Sequence, residues 1–409
     1  MSTYVAAPHM TTFRCLGSEC EDTCCKAWEI PVTDDDMSRL TTALGPVAAS
    51  ELVHRLPDGS GGTVVVLRKR EDRTCPQLSE DRLCTLHARL GEPVLPAICS
   101  SYPRQVTRAG DQHELTGRLS CPEVARLCLL ADEATQVVAP IEAFGRFKAR
   151  DAESDKPYAQ PFLAVREKLI ELAMAPGYSV ASRLYFIAAL AERIGAYFHR
   201  DAATLEAERL TADLAAVGDP ELQAELHAQR GASSPMNGIA LQLAQGLIYS
   251  RLDVAPAFAR VAVKAAHTHG VTAGVTDRAD MLKQLAQLGP ERLWRSHMAR
   301  RQSIGAGVNE RLEQVLARYC RSYFLQDSYA QSPDLLEHVM LLLLRVTLIR
   351  FLLVGHPDIS TATDAAAVEV VYAVTRAYDH NTSIREGLAA MLRSNGLVSL
   401  DHAAALLKL

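Results

Sequence analysis

Eight of the ten cysteines in this 409-residue chain fall between Cys15 and Cys121. Four are packed into CLGSECEDTCC, from Cys15 to Cys25. The rest of the group stands in CPQLSEDRLC (Cys75 and Cys84), CSSYPR (Cys99) and SCPE (Cys121). Thiolates are soft donors that suit zinc or iron–sulfur clusters, and four of them close one such site. The candidate ligands are therefore Cys15, Cys20, Cys24, Cys25, Cys75, Cys84, Cys99 and Cys121, with a subset of four expected around one centre. Cys24 and Cys25 are adjacent and project differently, so one is expected to ligate while the other packs or serves a second site. No CxxC pair occurs, the spacing is irregular, and proline follows both Cys75 and Cys121. These features favour an iron–sulfur cluster, 4Fe-4S, with zinc as the alternative. Cys20-x3-Cys24 begins the CxxxCxxC pattern of radical S-adenosylmethionine enzymes, but its third position is Ala27, which argues against that chemistry. Cys128 and Cys320 lie on helical patterns among apolar residues and are expected to be core.

Elements must bring these segments together, and the rest of the sequence indicates which. Hydrophobic residues make up 48% and charged residues 22%, which fits a folded globular chain. The net charge of -5 offers no general attraction for nucleic acid or anionic lipid, so neither is expected as a partner. The N-terminal MSTYVAAPHMTTFRC lacks the basic and apolar regions of a secretory signal. The most apolar stretch, Leu335 to Val354, has the length of a membrane span, yet contains Glu337, Arg345 and Arg350. Each would cost roughly 2–3 kcal/mol near a bilayer centre, so a buried core helix is expected. A cytoplasmic protein follows, and in a reducing compartment clustered cysteines point to metal rather than disulfides.

The fold class expected is mainly α: a cysteine-rich N-terminal module with a short strand, then a multi-helix body. Residues 1–135 form the module, 136–160 a charged, proline-bounded connector, and 161–409 the helical domain. Within the module, LPDGSGG (Leu56 to Gly62) and TVVVLRKR (Thr63 to Arg70) read as a tight turn and a strand. TDDD supplies a cap and acidic first turn for a helix over Asp34 to Ala43, and Pro122 opens another to Leu130. From Phe162 onward apolar residues recur at three- and four-residue spacing, giving about ten helices. Breaks fall at PGYS, GDPE, GASSPMNG, LGPE and GHPD. Strands do not alternate with helices, so a doubly wound sheet is not expected, nor is there a fixed-period repeat.

FRCLGSECEDTCCKAWEIPVTDD resembles the start of the flagellin lysine N-methylase family, with Cys24, Cys25, Trp28 and Asp34 as the counterparts. CPQLSEDRLCTLHARLGE, LPAICSSYPR and LSCPEVARL resemble its next blocks in the same order. HVMLLLLRVTLIRFLLV is similar to its long apolar helix, and TRAYDHN (Thr375 to Asn381) to its late arginine–acid–histidine helix. A wider group of zinc- or iron-chelating proteins shares the cysteine blocks alone. The resemblance implies methyl transfer from S-adenosylmethionine to lysine ε-amines of flagellin or another protein or peptide, with an associated iron–sulfur cluster of structural role. The alternative is a non-catalytic zinc- or iron-binding adaptor.

Such chemistry needs a neutral lysine amine and a cradle for a sulfonium, the latter best made of aromatic faces and carboxylates. No glycine-rich strand–turn–helix loop is present, so a Rossmann-like donor site is not expected. Tyr102, beside Cys99, could contact the amine, and Arg104 could bind the donor carboxylate. Arg376, Asp379 and His380 lie at three- and four-residue spacing, so they are expected to meet on one helix face as further cofactor contacts. Tyr319 and Tyr323 share another face, with Tyr323 the second catalytic candidate. Trp28 is expected to be a core anchor beside the metal.

Overall fold

The computed structural model describes residues 3–26, 28–57, 62–131, 149–151, 161–195, 207–232, 237–253, 255–271, 278–329, 332, 334–380 and 382–409. The chain is mainly helical, and its strands are confined to the first 151 residues described. The strands are β1 (Thr3–Ala6), β2 (Val53–Pro57), β3 (Thr63–Leu67), β4 (Arg104–Ala109), β5 (Gln112–Gly117) and β6 (Arg150–Asp151). Short helices separate them: α1 (Pro8–Thr12), α2 (Asp34–Leu44), α3 (Pro46–Glu51), α4 (Thr85–Leu90), α5 (Ala97–Ser101) and α6 (Pro122–Leu130). The helical body runs through α7 (Phe162–Met174), α8 (Val180–Gly195), α9 (Ala207–Ala216), α10 (Pro220–Ala232), α11 (Asn237–Arg251) and α12 (Pro256–Thr268). It continues through α13 (Arg278–Ser303), α14 (Ala306–Gln326), α15 (Leu335–Gly355), α16 (Thr363–Tyr378), α17 (Thr382–Ser394) and α18 (Leu400–Leu406).

Local sequence accounts for the boundaries. Thr33 and Asp36 form a reciprocal capping box on α2. PGYS, GDPE and GHPD fall at helix ends, whereas LGPE makes a kink inside α13, where Gly289 takes φ 69° ahead of Pro290. Half of GASSPMNG, the centre of the LPDGSGG turn and nearly all of the 136–160 connector lie outside the described residues.

The strand expected after LPDGSGG is β3, and further strands join it in two hairpins. β4 and β5 are antiparallel from Arg104↔Gly117 to Ala109↔Gln112, with Gly110 at positive φ in the turn. β1 and β6 add parallel edges, giving the order β1-β5-β4-β6. β2 and β3 pair antiparallel as a separate ribbon.

Packing divides the chain differently from composition. A small core of Ile30, Val32, Leu40, Ala49, Leu67, Leu86 and Leu95 lies under the β2–β3 ribbon. The residues of β1, α1, β4, β5 and α6 belong instead to the large core of the helical body. Glu114 on β5 and Arg166 on α7 form a buried two-bond ion pair, both contacts 2.6 Å. Removing one member of such a pair costs about 3–5 kcal/mol, because the other is left charged and dry. Gln326 at the end of α14 donates to the Gly117 carbonyl at 2.8 Å, and Gln105 donates back to the Gln326 carbonyl at 2.9 Å. Arg318 donates to the Leu129 carbonyl, occupying an acceptor that the end of α6 leaves without a helical partner. The 4-stranded sheet is thereby fixed to the helices.

α15 is long and apolar enough to cross a membrane, but it lies inside the protein, against α8, α12 and α16. Its charges are matched within the fold: Glu337 to Arg393 at 2.5 Å, Arg345 to Asp379 at 3.2 Å, and Arg350 to Glu313 at 3.3 Å. A helix buried on all sides carries no polar stripe.

Candidate functional site

The cysteine module meets the helical body at the C-terminal end of α16. Arg376 reaches into the Cys24–Cys25 turn, donating to the carbonyls of Thr23 and Lys26 and to Asp22 at 3.2 Å. In the same turn, Trp28 Nε1 donates to the Cys24 carbonyl at 2.6 Å. That places the indole against His380, with ring centres 5.0 Å apart, and against Tyr102, 5.5 Å apart. Tyr102 and His380 are 5.9 Å apart, closing a trio of rings. Ser120 ties two of them together: its Oγ lies 3.1 Å from the Tyr102 hydroxyl and 2.7 Å from His380 Nε2.

This trio forms one end of an open cleft of about 520 Å³. Arg104, Arg118, Asp327, Arg345, Asp379 and Arg385 are among its other lining residues. Burial, with Arg118 and Arg376 adding to it, lowers the His380 pKa to about 3, so its ring is neutral at pH 7. Burial pushes Tyr102 well above the usual phenol range, so it keeps its proton and acts as a donor rather than a base. Burial likewise holds the Asp379 carboxyl above the usual carboxylate range, against the pull of Arg345.

The sequence candidates separate into distinct places. Tyr102, Arg104, Asp379 and His380 line the cleft. Arg376, Asp379 and His380 do not meet as their spacing implied, because α16 ends at Tyr378 and their side chains diverge. Arg376 clasps the cysteine turn, Asp379 faces Arg345, and His380 joins the ring trio. Tyr323 is buried behind the cleft, its hydroxyl donating to the His338 carbonyl at 3.2 Å and its ring under the Arg345 guanidinium at 5.2 Å. Tyr319 is core. Trp28 is half-buried at the cleft rather than sealed in a core.

Sequence reasoning missed Arg345, Arg118, Asp327 and Ser120. The available signal was Arg345 itself, a charge inside an otherwise apolar helix, which must have a partner or a purpose.

The thiols gather in two neighbourhoods. Cys25, Cys75, Cys84 and Cys99 adjoin the small core, close enough for the first three to influence the charge on Cys99. The Cys75 amide donates to the Cys25 carbonyl at 2.8 Å, and Cys84 caps α4. Cys15 and Cys20 act on Cys121 at the head of α6, and Cys24 lies between the two neighbourhoods, acted on by both Cys15 and Cys99. The Cys25 thiol donates to Cys24 and lowers its pKa, with Arg376 contributing in the same direction. All eight thiols are free. Among the described residues no three Cys, His, Asp or Glu side chains already converge on a metal position. The donor set suits a thiophilic metal, and closing a ligand sphere requires the side chains to turn inward. Cys128 and Cys320 are buried in the large core, apart from both groups.

A second open groove, of about 570 Å³, is lined by Glu21, Arg126, Arg260, Asp364, Glu369 and Tyr372. It has no comparable ring trio.

Residues 166–406 match the profile of the FliB lysine N-methylase C-terminal domain. The chain belongs to that family. Residues 14–122, which hold all eight clustered cysteines, match CxxCxxCC, a zinc- or iron-chelating domain, and this supports metal binding. The FliB-family chain is 32% identical over 119 residues to the lysine-N-methylase of Salmonella choleraesuis strain SC-B67. It is 31% identical over 119 residues to that of Salmonella typhimurium strain LT2. Each match spans 28% of this chain and 29% of the relative, so it covers under a third of either protein's length. A flagellar biosynthetic protein FliU of Salmonella muenchen is 29% identical over 148 residues, 34% of this chain and 82% of that protein. No solved structure matches. The cleft of this FliB-family chain draws Trp28 and Tyr102 from the chelating region and Arg345, Asp379 and His380 from the C-terminal domain.

Arg376→Met removes three hydrogen bonds from the cysteine turn, worth about 1 kcal/mol each. Hydrogen–deuterium exchange is expected to quicken in the segment from Cys20 to Trp28 while α8 and α15 stay protected. Unchanged exchange in that segment contradicts the clasp.

Proposed function

We propose that this chain is a protein-lysine N-methyltransferase that uses S-adenosylmethionine and acts on flagellin or a comparable protein, with the cleft beside Trp28 as its site. The observation that carries this reading is the ring trio at the end of an open cleft assembled from both matched regions. Aromatic faces attract a sulfonium, which has no proton to donate and prefers π-electrons to water. The neutral His380 adds a third face without repelling that charge.

In the transfer, the lysine nitrogen forms a bond to the donor methyl while the S–CH₃ bond breaks. The electron pair returns to sulfur, giving a neutral thioether. The ε-ammonium sheds its proton to water beforehand. Burial in the cleft and the donor's own sulfonium favour this step, because desolvation and nearby positive charge destabilise a protonated amine. Tyr102, still protonated, orients the neutral amine by accepting or donating one hydrogen bond.

Purified chain incubated with the donor and flagellin from the same cell is expected to raise the intact mass of flagellin by whole methyl increments. Trp28→Ala is expected to lower turnover roughly tenfold or more, since a desolvated cation–π contact is worth about 2 kcal/mol. A wild-type chain that binds the donor yet modifies no flagellin removes flagellin from the proposal. A chain that binds metal but no donor supports the adaptor reading instead.

We also propose that the thiols hold iron–sulfur or zinc centres of structural role, Cys25, Cys75, Cys84 and Cys99 around one and Cys15, Cys20, Cys24 and Cys121 around the other. A centre closed by four thiolates cross-links its segments and leaves no open coordination position. Support comes from the grouping of free thiols and from the chelating-domain match. Anaerobic purification followed by iron, zinc and sulfide analysis tests it. Cys84→Ser and Cys121→Ser are each expected to remove about half of the bound metal, and the double variant nearly all. Loss of all metal from either single variant, with the circular dichroism of the helical body intact, points to one shared centre.

A further inference from the structure

One group in the cleft is left without the partners its chemistry calls for. Arg345 is 4% exposed, yet its Nε and Nη1 have no hydrogen-bond partner. Among the described residues its one ion-pair contact runs from Nη2 to Asp379 Oδ1, at 3.2 Å. Its guanidinium carbon sits 5.2 Å from the centre of the Tyr323 ring, a cation–π contact that favours this position. Buried polar groups are nearly always satisfied, so two orphaned nitrogens on a residue that lines the cleft leave room for an absent acceptor. Arginine's fixed fork meets a carboxylate through two parallel hydrogen bonds along one edge, Nε with Nη2 or Nη1 with Nη2, so an incoming carboxylate takes one of the orphaned nitrogens together with Nη2.

Asp379 extends the argument. Its Oδ1 is buried without a hydrogen bond, and it lines the same cleft. An anchored guanidinium next to an under-satisfied carboxylate is complementary to a group carrying a carboxylate and an ammonium on one carbon. The next residue in the chain is His380, a member of the ring trio. The two charges therefore end where the aromatic surface begins.

We propose that Arg345 and Asp379 form an α-amino-acid subsite, taking the α-carboxylate and α-ammonium of the methyl donor and directing its sulfonium and adenine toward Trp28, Tyr102 and His380. This rests on the reading of S-adenosylmethionine as the donor. It assigns the donor's polar end to two residues of the C-terminal helices, where no motif marks a donor loop. Arg104, the residue that sequence alone offered for the carboxylate, lines the same cleft, with its guanidinium over the Phe13 ring at 5.1 Å.

The test is direct binding to the full chain by calorimetry, with no turnover needed. Three probes are compared: S-adenosylmethionine, its decarboxylated analogue, and 5′-methylthioadenosine, which lacks the amino-acid end. Wild type is expected to bind the decarboxylated analogue roughly tenfold or more weakly than the donor, as loss of a bidentate charged contact requires. In Arg345→Met that discrimination is expected to vanish. Arg345→Lys keeps the charge and is expected to lose most of it, which covers the case in which the methionine variant does not fold. Asp379→Asn is expected to weaken the donor and the decarboxylated analogue alike, while leaving 5′-methylthioadenosine unchanged. Equal wild-type affinity for the donor and the decarboxylated analogue overturns the subsite while leaving the methyltransferase reading in place. Absence of any donor binding overturns both.

Discussion

Arg376 holds the molecule's two chemistries in register. Its guanidinium closes on the backbone of the cysteine turn, and the contacts that Trp28 makes in the cleft depend on that closure. Trp28 is four residues beyond Cys24 and bonded back to it, so the position of the turn sets the position of the indole. The indole meets His380, which follows α16 immediately. Moving the turn by the width of one side chain would separate Trp28 from His380 and leave a flat joint instead of an aromatic end wall. The same arginine bears on Cys24, helping to lower its pKa. Metal binding in the module and the shape of the cleft are thus mechanically linked through one side chain.

The linkage gives a physical reason for joining a chelating region to a helical body. The small core under the β2–β3 ribbon is too slight to hold its long loops by hydrophobic burial alone. Short domains of that kind commonly rely on a metal for part of their folding energy. The helical body, by contrast, has a large core and needs no such staple. It supplies rigid charges instead: Arg345 anchored on Tyr323, and Arg118 3.6 Å from Asp327.

The sequence revealed these parts unequally. Clustered thiols are visible because cysteine is rare and soft-ligand chemistry is specific. Helix boundaries were visible in the capping box at Thr33 and Asp36 and in breaks such as PGYS, since local backbone chemistry sets them. The break read at LGPE is the point inside α13 where Gly289 leaves helical geometry ahead of Pro290. The site was much less legible. Trp28 and His380 are 352 positions apart by number, and nothing local to either announces the other. Arg376, Asp379 and His380 satisfied a spacing rule that holds only inside a helix, and α16 ends among them. Arg345 looked like an argument against a membrane span, which it was; its orphaned nitrogens emerge only once the helices around it are in place.

The central claim is that donor binding occurs where the chelating region and the C-terminal helices meet. Ultraviolet cross-linking of radiolabelled S-adenosylmethionine to the full chain, followed by peptide mapping, tests it most directly. The account predicts label on the peptide carrying Trp28 or Tyr102 and on the peptide spanning Tyr378 to Arg385, with excess unlabelled donor abolishing both. Label confined to the groove lined by Arg260, Glu369 and Tyr372 would contradict it.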